Sequence, residues 1–239
     1  MIARHSLAAV AQLIGEPTRA AMLIGLVGGR ELTATELARL AELSAPATSL
    51  HLGKLVHGGL ILGRRAGRHR YFRLASSDVA HALEALGAIA TAAPLPRSPR
   101  PVSPERAALR AARTCYDHLA GVLAIELADA LERARLVRSE PTEFRVTPAG
   151  TTWFADALQI DVATLARTRR TLARRCLDWT ERRPHLAGAL GAAVLDQFLE
   201  RRWIARLRDT RALRVTPRGT VALASLVREI ARLTAPFRP

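Results

Sequence analysis

Glu16-Pro17-Thr18-Arg19 opens an apolar helix, Leu32-Thr33-Ala34-Thr35-Glu36-Leu37-Ala38 starts a second, and Ser44-Ala45-Pro46-Ala47-Thr48-Ser49-Leu50-His51-Leu52 starts a third. Two apolar runs follow, Leu60-Ile61-Leu62 and Tyr71-Phe72-Arg73-Leu74, around the basic segment Arg64-Arg65-Ala66-Gly67-Arg68-His69-Arg70. Runs of that kind flanking a glycine-bearing turn predict a β-hairpin. Helices followed by a basic hairpin are the order a winged helix-turn-helix needs to read duplex DNA.

Working outward, a short helix carrying Leu7, Val10, Ala11 and Ile14 on one face precedes this core. A helix from about Asp78 follows, with Val79, Leu83, Leu86 and Ile89 on one face. A winged helix closes without either, so their apolar stripes are expected to form a dimer interface or to pack on the rest of the chain. Residues 1–91 are thus expected to be a DNA-binding and dimerisation domain. Residues 92–104, with Pro94, Pro96, Pro99, Pro101 and Pro104, cannot continue a helix and read as a linker.

Residues 105–239 repeat themselves. Cys115-Tyr116-Asp117-His118-Leu119-Ala120-Gly121 is matched by Cys176-Leu177-Asp178 and then His185-Leu186-Ala187-Gly188. Arg145-Val146-Thr147-Pro148-Ala149-Gly150 is matched by Arg214-Val215-Thr216-Pro217-Arg218-Gly219. A repeat of this length is a structural unit. Each copy, about 105–165 and 166–239, reads as a long helix (roughly 105–134 and 182–201), a hairpin and a helix begun by Thr-Pro. Threonine is the N-cap there and proline the first helical position. The expected fold is mainly α with short β-hairpins: an N-terminal winged helix-turn-helix and a C-terminal tandem of degenerate winged-helix-like repeats that lack a recognition helix.

The 239 residues are 49% hydrophobic, enough for two cores, and carry a formal net charge of +15, with Lys54 the one lysine. Such a balance points to a polyanionic partner, against the plainer reading of a solvated arginine-rich surface. No apolar run approaches the roughly 18 residues of a membrane span, and no cleavable signal is evident. The expected place is the cytoplasm, nucleoid-associated when bound to DNA, with Cys115 and Cys176 reduced. No Gly-x-Gly-x-x-Gly, Gly-x-Ser-x-Gly or His-Glu-x-x-His occurs, so no enzymatic activity is expected.

The recognition helix of such a domain presents its early polar residues to base edges. Candidate DNA contacts are therefore Ser44, Ala45, Thr48, Ser49, His51 and Lys54, with Leu50, Leu52, Leu55 and Val56 left for the core. Ser44 also suits the N-cap. Thr33 with Glu36 forms a capping-box pattern, and Thr35 is placed for a phosphate. In the wing, Arg65, Arg68, His69 and Arg70 suit phosphates or a narrow minor groove.

These residues taken together resemble the ArsR-type winged-helix repressors over positions 7–90. The resemblance rests on Glu16-Pro17-Thr18-Arg19, Glu36-Leu37-Ala38, Thr48-Ser49-Leu50-His51-Leu52-x-Lys54-Leu55, Gly59-Leu60-Ile61 and Arg65-Ala66-Gly67-Arg68-x-Arg70-Tyr71. It implies a homodimer on an imperfect palindrome of double-stranded DNA near a promoter, repressing until an effector releases it. The family's metal ligands do not carry over. Leu32 to Leu37 stand where thiolate sensors have a cysteine pair, and the last helix offers only Asp78 and His81. A sequence-tolerant architectural DNA-binding protein is the alternative, argued against by the polar face of the recognition helix and the single wing.

A second constellation, Cys115, Tyr116, Asp117 and His118 with Cys176, Asp178, Trp179 and His185, is the candidate effector site. A metal, a dithiol switch and a small-molecule pocket completed by Phe154 are its functional readings, and plain core packing the other. Cys115 to His118 spans three positions but Cys176 to His185 nine. That asymmetry weighs against a shared helical metal site, and no metal is assigned.

Overall fold

A computed structural model of the chain describes residues 4–67, 69–92, 103–208 and 210–233. Most of the linker and Arg68 of the wing lie outside the described residues. The chain divides into two compact units after Leu83.

The first unit orders α1 (Arg4–Ile14), α2 (Pro17–Leu26), β1 (Leu32–Thr33), α3 (Ala34–Leu40), α4 (Ala45–His57), β2 (Ile61–Ala66) and β3 (His69–Leu74), and α5 (Ser77–Ala92) runs through the division. Local chemistry fixes the helix starts. Glu16 caps α2, accepting from the Thr18 and Arg19 amides at 3.0 and 2.9 Å, with Pro17 at the first helical position. Thr33 and Glu36 complete the capping box of α3. Met22, Leu23, Leu26, Leu37, Leu52, Leu55, Ile61, Phe72 and Leu74 are buried.

The sheet runs β1-β3-β2, so Leu32–Thr33 adds a third strand that the sequence reading did not anticipate. The wing is also longer in strand than expected. Arg64 and Arg65 lie in β2 and His69 and Arg70 in β3, which leaves only positions 67–68 for the turn, and Gly67 adopts φ +59°.

The second unit begins with α6 (Pro104–Ala111), capped by Ser103. The expected long helix over 105–134 does not form. It is replaced by α6, a hairpin of β4 (Arg113–Cys115) and β5 (His118–Ala120), and α7 (Val122–Arg133). Thr114, Cys115, Tyr116, Asp117 and His118 are poor helix formers in succession, and Tyr116 and Gly121 take positive φ. The expected helix over 182–201 likewise starts late. Pro184 belongs to β9 (Pro184–Ala187), which pairs with β8 (Arg174–Leu177), and α10 covers Gly188–Glu200. Between the two hairpins the chain forms β6 (Val137–Ser139), β7 (Phe144–Val146), α8 (Pro148–Leu158) and α9 (Val162–Ala166). After α10 come β10 (Ile204–Arg206), β11 (Leu213–Val215) and α11 (Pro217–Arg232).

Hairpin, helix, hairpin, helix therefore runs twice, and the halves exchange contacts. The edge of β4 bonds to the 211–213 segment, through Thr114 N to Arg211 O and Leu213 N to Ala112 O, both 2.9 Å. Around β8, Phe144 N reaches Ala173 O at 2.7 Å and Arg175 N reaches Thr142 O at 3.1 Å. α10 packs on β5 and α7 on β9, each helix covering the other half's hairpin. One apolar core spans both halves, from Leu127, Leu131 and Phe154 to Leu190, Leu195, Phe198 and Ile230. Among the described residues no helix is long and apolar enough to cross a membrane.

The matched Thr-Pro-x-Gly segments have one cause. Thr147 Oγ1 accepts from Gly150 N and donates to Leu136 O, and Thr216 does the same with Gly219 and Trp203. This holds the helix start so close to the residue ahead of the hairpin's first strand that a Cβ at Gly150 or Gly219 would collide with the Leu136 or Trp203 carbonyl. Gly150→Ala and Gly219→Ala should each destabilise the protein, by on the order of 1–3 kcal/mol in urea denaturation. Gly53→Ala, on a helix with nothing within 4 Å of the added carbon, should instead stabilise it by about 0.4–1 kcal/mol. Equal effects at the three positions would contradict this account of the motif.

Candidate nucleic-acid interface and a buried cysteine–histidine cluster

On α4, Ala45, Pro46, Ser49, Leu50, Gly53, Lys54 and His57 are exposed, and Thr48, Leu52 and Leu55 are buried. The outward residues form one continuous stripe at helical spacing. Two expectations change. Thr48 is 1% exposed and its hydroxyl donates to the Ser44 carbonyl at 2.9 Å, so its side chain faces the core and not base edges. Leu50, assigned to the core, is 60% exposed in the middle of the stripe. Bonding back to the carbonyl four residues earlier lets a threonine hydroxyl be buried without loss, and the helix rotates accordingly.

His51 is half-buried, its Nδ1 3.2 Å from Glu16 Oε2. Burial works against ionisation of Glu16, but the Thr18 and Arg19 amides, the Thr18 side chain and His51 together lower its pKa to about 2. The cap of α2 thus also positions a side chain of the third helix. Ser44 stands at the N-cap without a side-chain capping bond, and Thr35 and Lys54 are exposed.

In the wing, the strand register places Arg65 directly opposite Arg70. Like charges facing each other across a hairpin destabilise it. Arg64 lies over the Tyr71 ring at 5.4 Å and pairs with Glu31, and Arg70 lies over Phe72 at 5.1 Å. Aromatic faces therefore support two of the arginine stems, while the charges collect on the solvent side. His69 is exposed beside them.

The second unit brings together the candidate residues of both repeat copies. Cys115, His118, Cys176 and His185 are all buried, and one ligand atom from each lies within 4.8 Å of the others. Their arrangement comes from register. Cys115 is the cross-strand partner of His118 in β4–β5, and Cys176 is the partner of His185 in β8–β9. Three and nine positions are equivalent on hairpins, because a longer loop leaves the pairing unchanged. The asymmetry that spoke against a shared site assumed helices.

Around the cluster, Asp117 lies 3.3 Å from His118 Nδ1 and accepts 2.5 and 2.8 Å bonds from Arg170. Asp178, wholly buried, accepts from Gly121 N at 2.7 Å and from the Thr180 amide and hydroxyl. It pairs with the equally buried Arg113 at 2.9 Å and stands 3.7 Å from His185 Nδ1. Burial opposes ionisation of both carboxyls, yet their donors hold them well below the usual range. Contact with Cys115 and the two imidazoles favours the thiolate of Cys176, and Cys115 is pushed up as its thiol partner. Burial works against protonation of His118, but Asp117 and Cys176 raise its pKa overall.

Sequence reasoning missed Arg113 and Arg170, which no signal separates from the other arginines. Trp179 belongs here as the ring beneath Arg113, 4.8 Å from its guanidinium carbon. Tyr116 is half-buried in the β4–β5 turn. Phe154 is part of the main apolar core, apart from the small cluster of Cys115, Ala120, Cys176 and Ala187, so it does not complete the expected pocket.

A helix-turn-helix domain family matches residues 14–64. The chain is 41% identical over 217 residues to the HTH-type transcriptional regulator YdfF of Bacillus subtilis, covering 91% of this chain and 95% of that protein. It is 37% identical over 65 residues to the arsenic resistance transcriptional regulator ArsR1 of Pseudomonas putida, covering 27% of this chain and 51% of that one. Among solved structures, NolR from Sinorhizobium fredii is similar at 32% identity and a TM-score of 0.33, over 36% of this chain and 84% of that one.

Replacing Arg113 with methionine keeps its bulk but leaves Asp178 ionised and buried without its cation. Unfolding should become easier by about 3–5 kcal/mol. Arg110→Met, which removes an exposed pair with Glu181, should leave the melting temperature essentially unchanged. Similar melting curves for the two variants would show that the buried pair does not hold the hairpins.

Proposed function

Because the chain belongs to the HTH-type transcriptional regulators, we propose that it is a homodimeric repressor of the ArsR type, acting at its target promoter and released by an effector acting on the C-terminal domain. The exposed stripe of α4 carries this reading. Ser49 and Lys54 are its hydrogen-bonding residues and Leu50 its apolar one, suited to a thymine methyl group in the major groove. Ala45 and Ser44 lie at the helix N-terminus, where phosphate is favoured. Thr35 would add a backbone contact, and His51 would act through the position it shares with Glu16. The facing Arg65 and Arg70, with His69 beside them and Arg68 next in sequence, supply the wing: a phosphate between two opposed guanidiniums relieves their repulsion.

Dimerisation accounts for the apolar side chains that α1 and α5 leave in solvent. Leu7 is 59% exposed, Leu86 45% and Ile89 68% in the single chain. A two-fold dimer places its recognition helices about one helical turn apart, which requires an imperfect palindrome. Residues 1–91 serve here as the DNA-binding and dimerisation domain, 92–104 as linker, and 105–239 as the effector domain. We read the two halves of that domain as degenerate winged-helix-like repeats that do not contact DNA.

Footprinting of the full chain on the DNA flanking its own gene should show two protected half-sites about 10 bp apart. A uniform coat would favour an architectural protein. Ser49→Ala and Leu50→Ala should each weaken operator binding by on the order of 1–3 kcal/mol and change random-duplex binding little. Arg65→Ala and Arg70→Ala should weaken both and reduce the salt slope by roughly one unit each. Thr48→Ala should affect stability rather than sequence preference. Selective loss at Thr48 with none at Ser49 would show that α4 docks through another face.

A further inference from the structure

The four residues of the buried cluster gather the ligand atoms of a four-coordinate metal site within 4.8 Å of one another. Cys115 Sγ and Cys176 Sγ are 3.7 Å apart, and His118 Nε2 and His185 Nε2 are 3.2 Å apart. Zinc bonds of about 2.3 Å to sulfur and 2.0–2.1 Å to nitrogen in a regular tetrahedron put two sulfurs about 3.8 Å apart and two nitrogens about 3.3 Å apart. The sulfur–sulfur and nitrogen–nitrogen edges correspond to those of a tetrahedron around one ion, and all four atoms lie within 4.8 Å of one another, so the Cys–His edges need only draw in to close it.

The surroundings carry the same signature. The imidazoles meet through Nε2, and each has a carboxylate near Nδ1: Asp117 at 3.3 Å, within hydrogen-bond reach of His118, and Asp178 at 3.7 Å, beyond it, for His185. Carboxylate–histidine–metal alignment fixes ring orientation and tautomer at zinc sites. Each carboxylate is itself anchored, by Arg170 in one case and by Arg113, Gly121 and Thr180 in the other. Charge is balanced as well: two thiolates and a divalent cation make a neutral centre, which a fully buried space tolerates far better than separate charges.

We propose that Cys115, His118, Cys176 and His185 form a four-coordinate zinc site that ties hairpin β4–β5 to hairpin β8–β9. Binding leaves both sulfurs as thiolates and both imidazoles neutral, so two protons go to solvent, one from the Cys115 thiol and one that Cys176 and His118 share. Four protein ligands leave no open position, so the ion holds structure and does not activate water. The site uses other residues than the positions where thiolate sensors of the ArsR type have their cysteine pair, which here are Leu32 to Leu37. It does not depend on the DNA reading, since its test involves no DNA.

The full chain, purified under anaerobic reducing conditions and stripped with chelator, is titrated with Co²⁺ alone. One equivalent should bind per chain, with the intense visible bands of tetrahedral cobalt and a thiolate-to-cobalt charge-transfer band, both abolished when Zn²⁺ displaces it. Removing zinc from the unaltered protein should lower its melting temperature, and reloading should restore it. Asp117→Asn should weaken affinity about 10- to 100-fold with the charge-transfer band retained, while Cys176→Ser should weaken it further and reduce that band. His81→Ala, in the first unit, should leave cobalt affinity and spectrum unchanged. A missing charge-transfer band, or full stoichiometric binding by the Cys115→Ser/Cys176→Ser double variant, would overturn the proposal. So would a reduced protein that binds no metal and whose only transition on air exposure is a Cys115–Cys176 disulfide, seen as a mass two hydrogens lighter. Because the chelation and reloading cycle uses the native sequence, a variant that fails to fold does not block the decision.

Discussion

The second unit depends on an ion pair with no access to water. Arg113 opens hairpin β4–β5 and Asp178 follows strand β8 inside hairpin β8–β9, and both side chains are fully buried. Desolvating two charges costs several kcal/mol per ion unless their remaining valences are met. The protein meets those of Asp178 with Gly121 and Thr180, and gives Arg113 the Leu109 carbonyl, the Thr180 hydroxyl and the face of Trp179, although its Nε has no hydrogen-bond partner among the described residues. Those partners come from both halves of the repeat, so the pair forms only when the halves are assembled. Once it does, the inner faces of the hairpins are fixed, and Cys115, His118, Cys176 and His185 have one place to be.

The first unit is organised by helix ends. Glu16 satisfies the orphan amides of α2 and reaches His51 on α4, so one carboxylate sets the relation between the entry helix and the recognition helix. Thr48 then fixes the rotation of α4. Its hydroxyl is satisfied within the helix, it faces inward with Leu52 and Leu55, and Ser49, Leu50 and Lys54 face out. The wing concentrates arginine charge on one side of a short sheet, using Tyr71 and Phe72 as supports.

The first unit was largely legible in the sequence because its signals are local. Caps, turn glycines and apolar periodicity each act within a few residues. Reading hydropathy alone, however, put Leu50 inside and Thr48 outside, because that scale cannot register a hydroxyl bonded to its own helix. The run Arg64 to Arg70 read as a loop from its charge, although cation–π stacking lets most of it stay in strand. In the second unit the repeat and the converging residues were legible, and the elements carrying them were not. Helical spacing was assumed where cross-strand register governs, so the unequal Cys–His intervals looked like disagreement. Arg113 and Arg170 had no distinguishing signal, because their role exists only through contacts far apart in sequence.

The proposed function puts the contacts to DNA on α4 and the wing and none on the second unit. Hydrogen–deuterium exchange of the full chain, with and without a promoter duplex, tests it most directly. Slowed exchange on DNA binding should fall on the start of α4 and on β2 and β3, and amides of the two cysteine–histidine hairpins should be unchanged. Protection concentrated on β4, β5, β8 and β9, with α4 unaffected, would contradict the account.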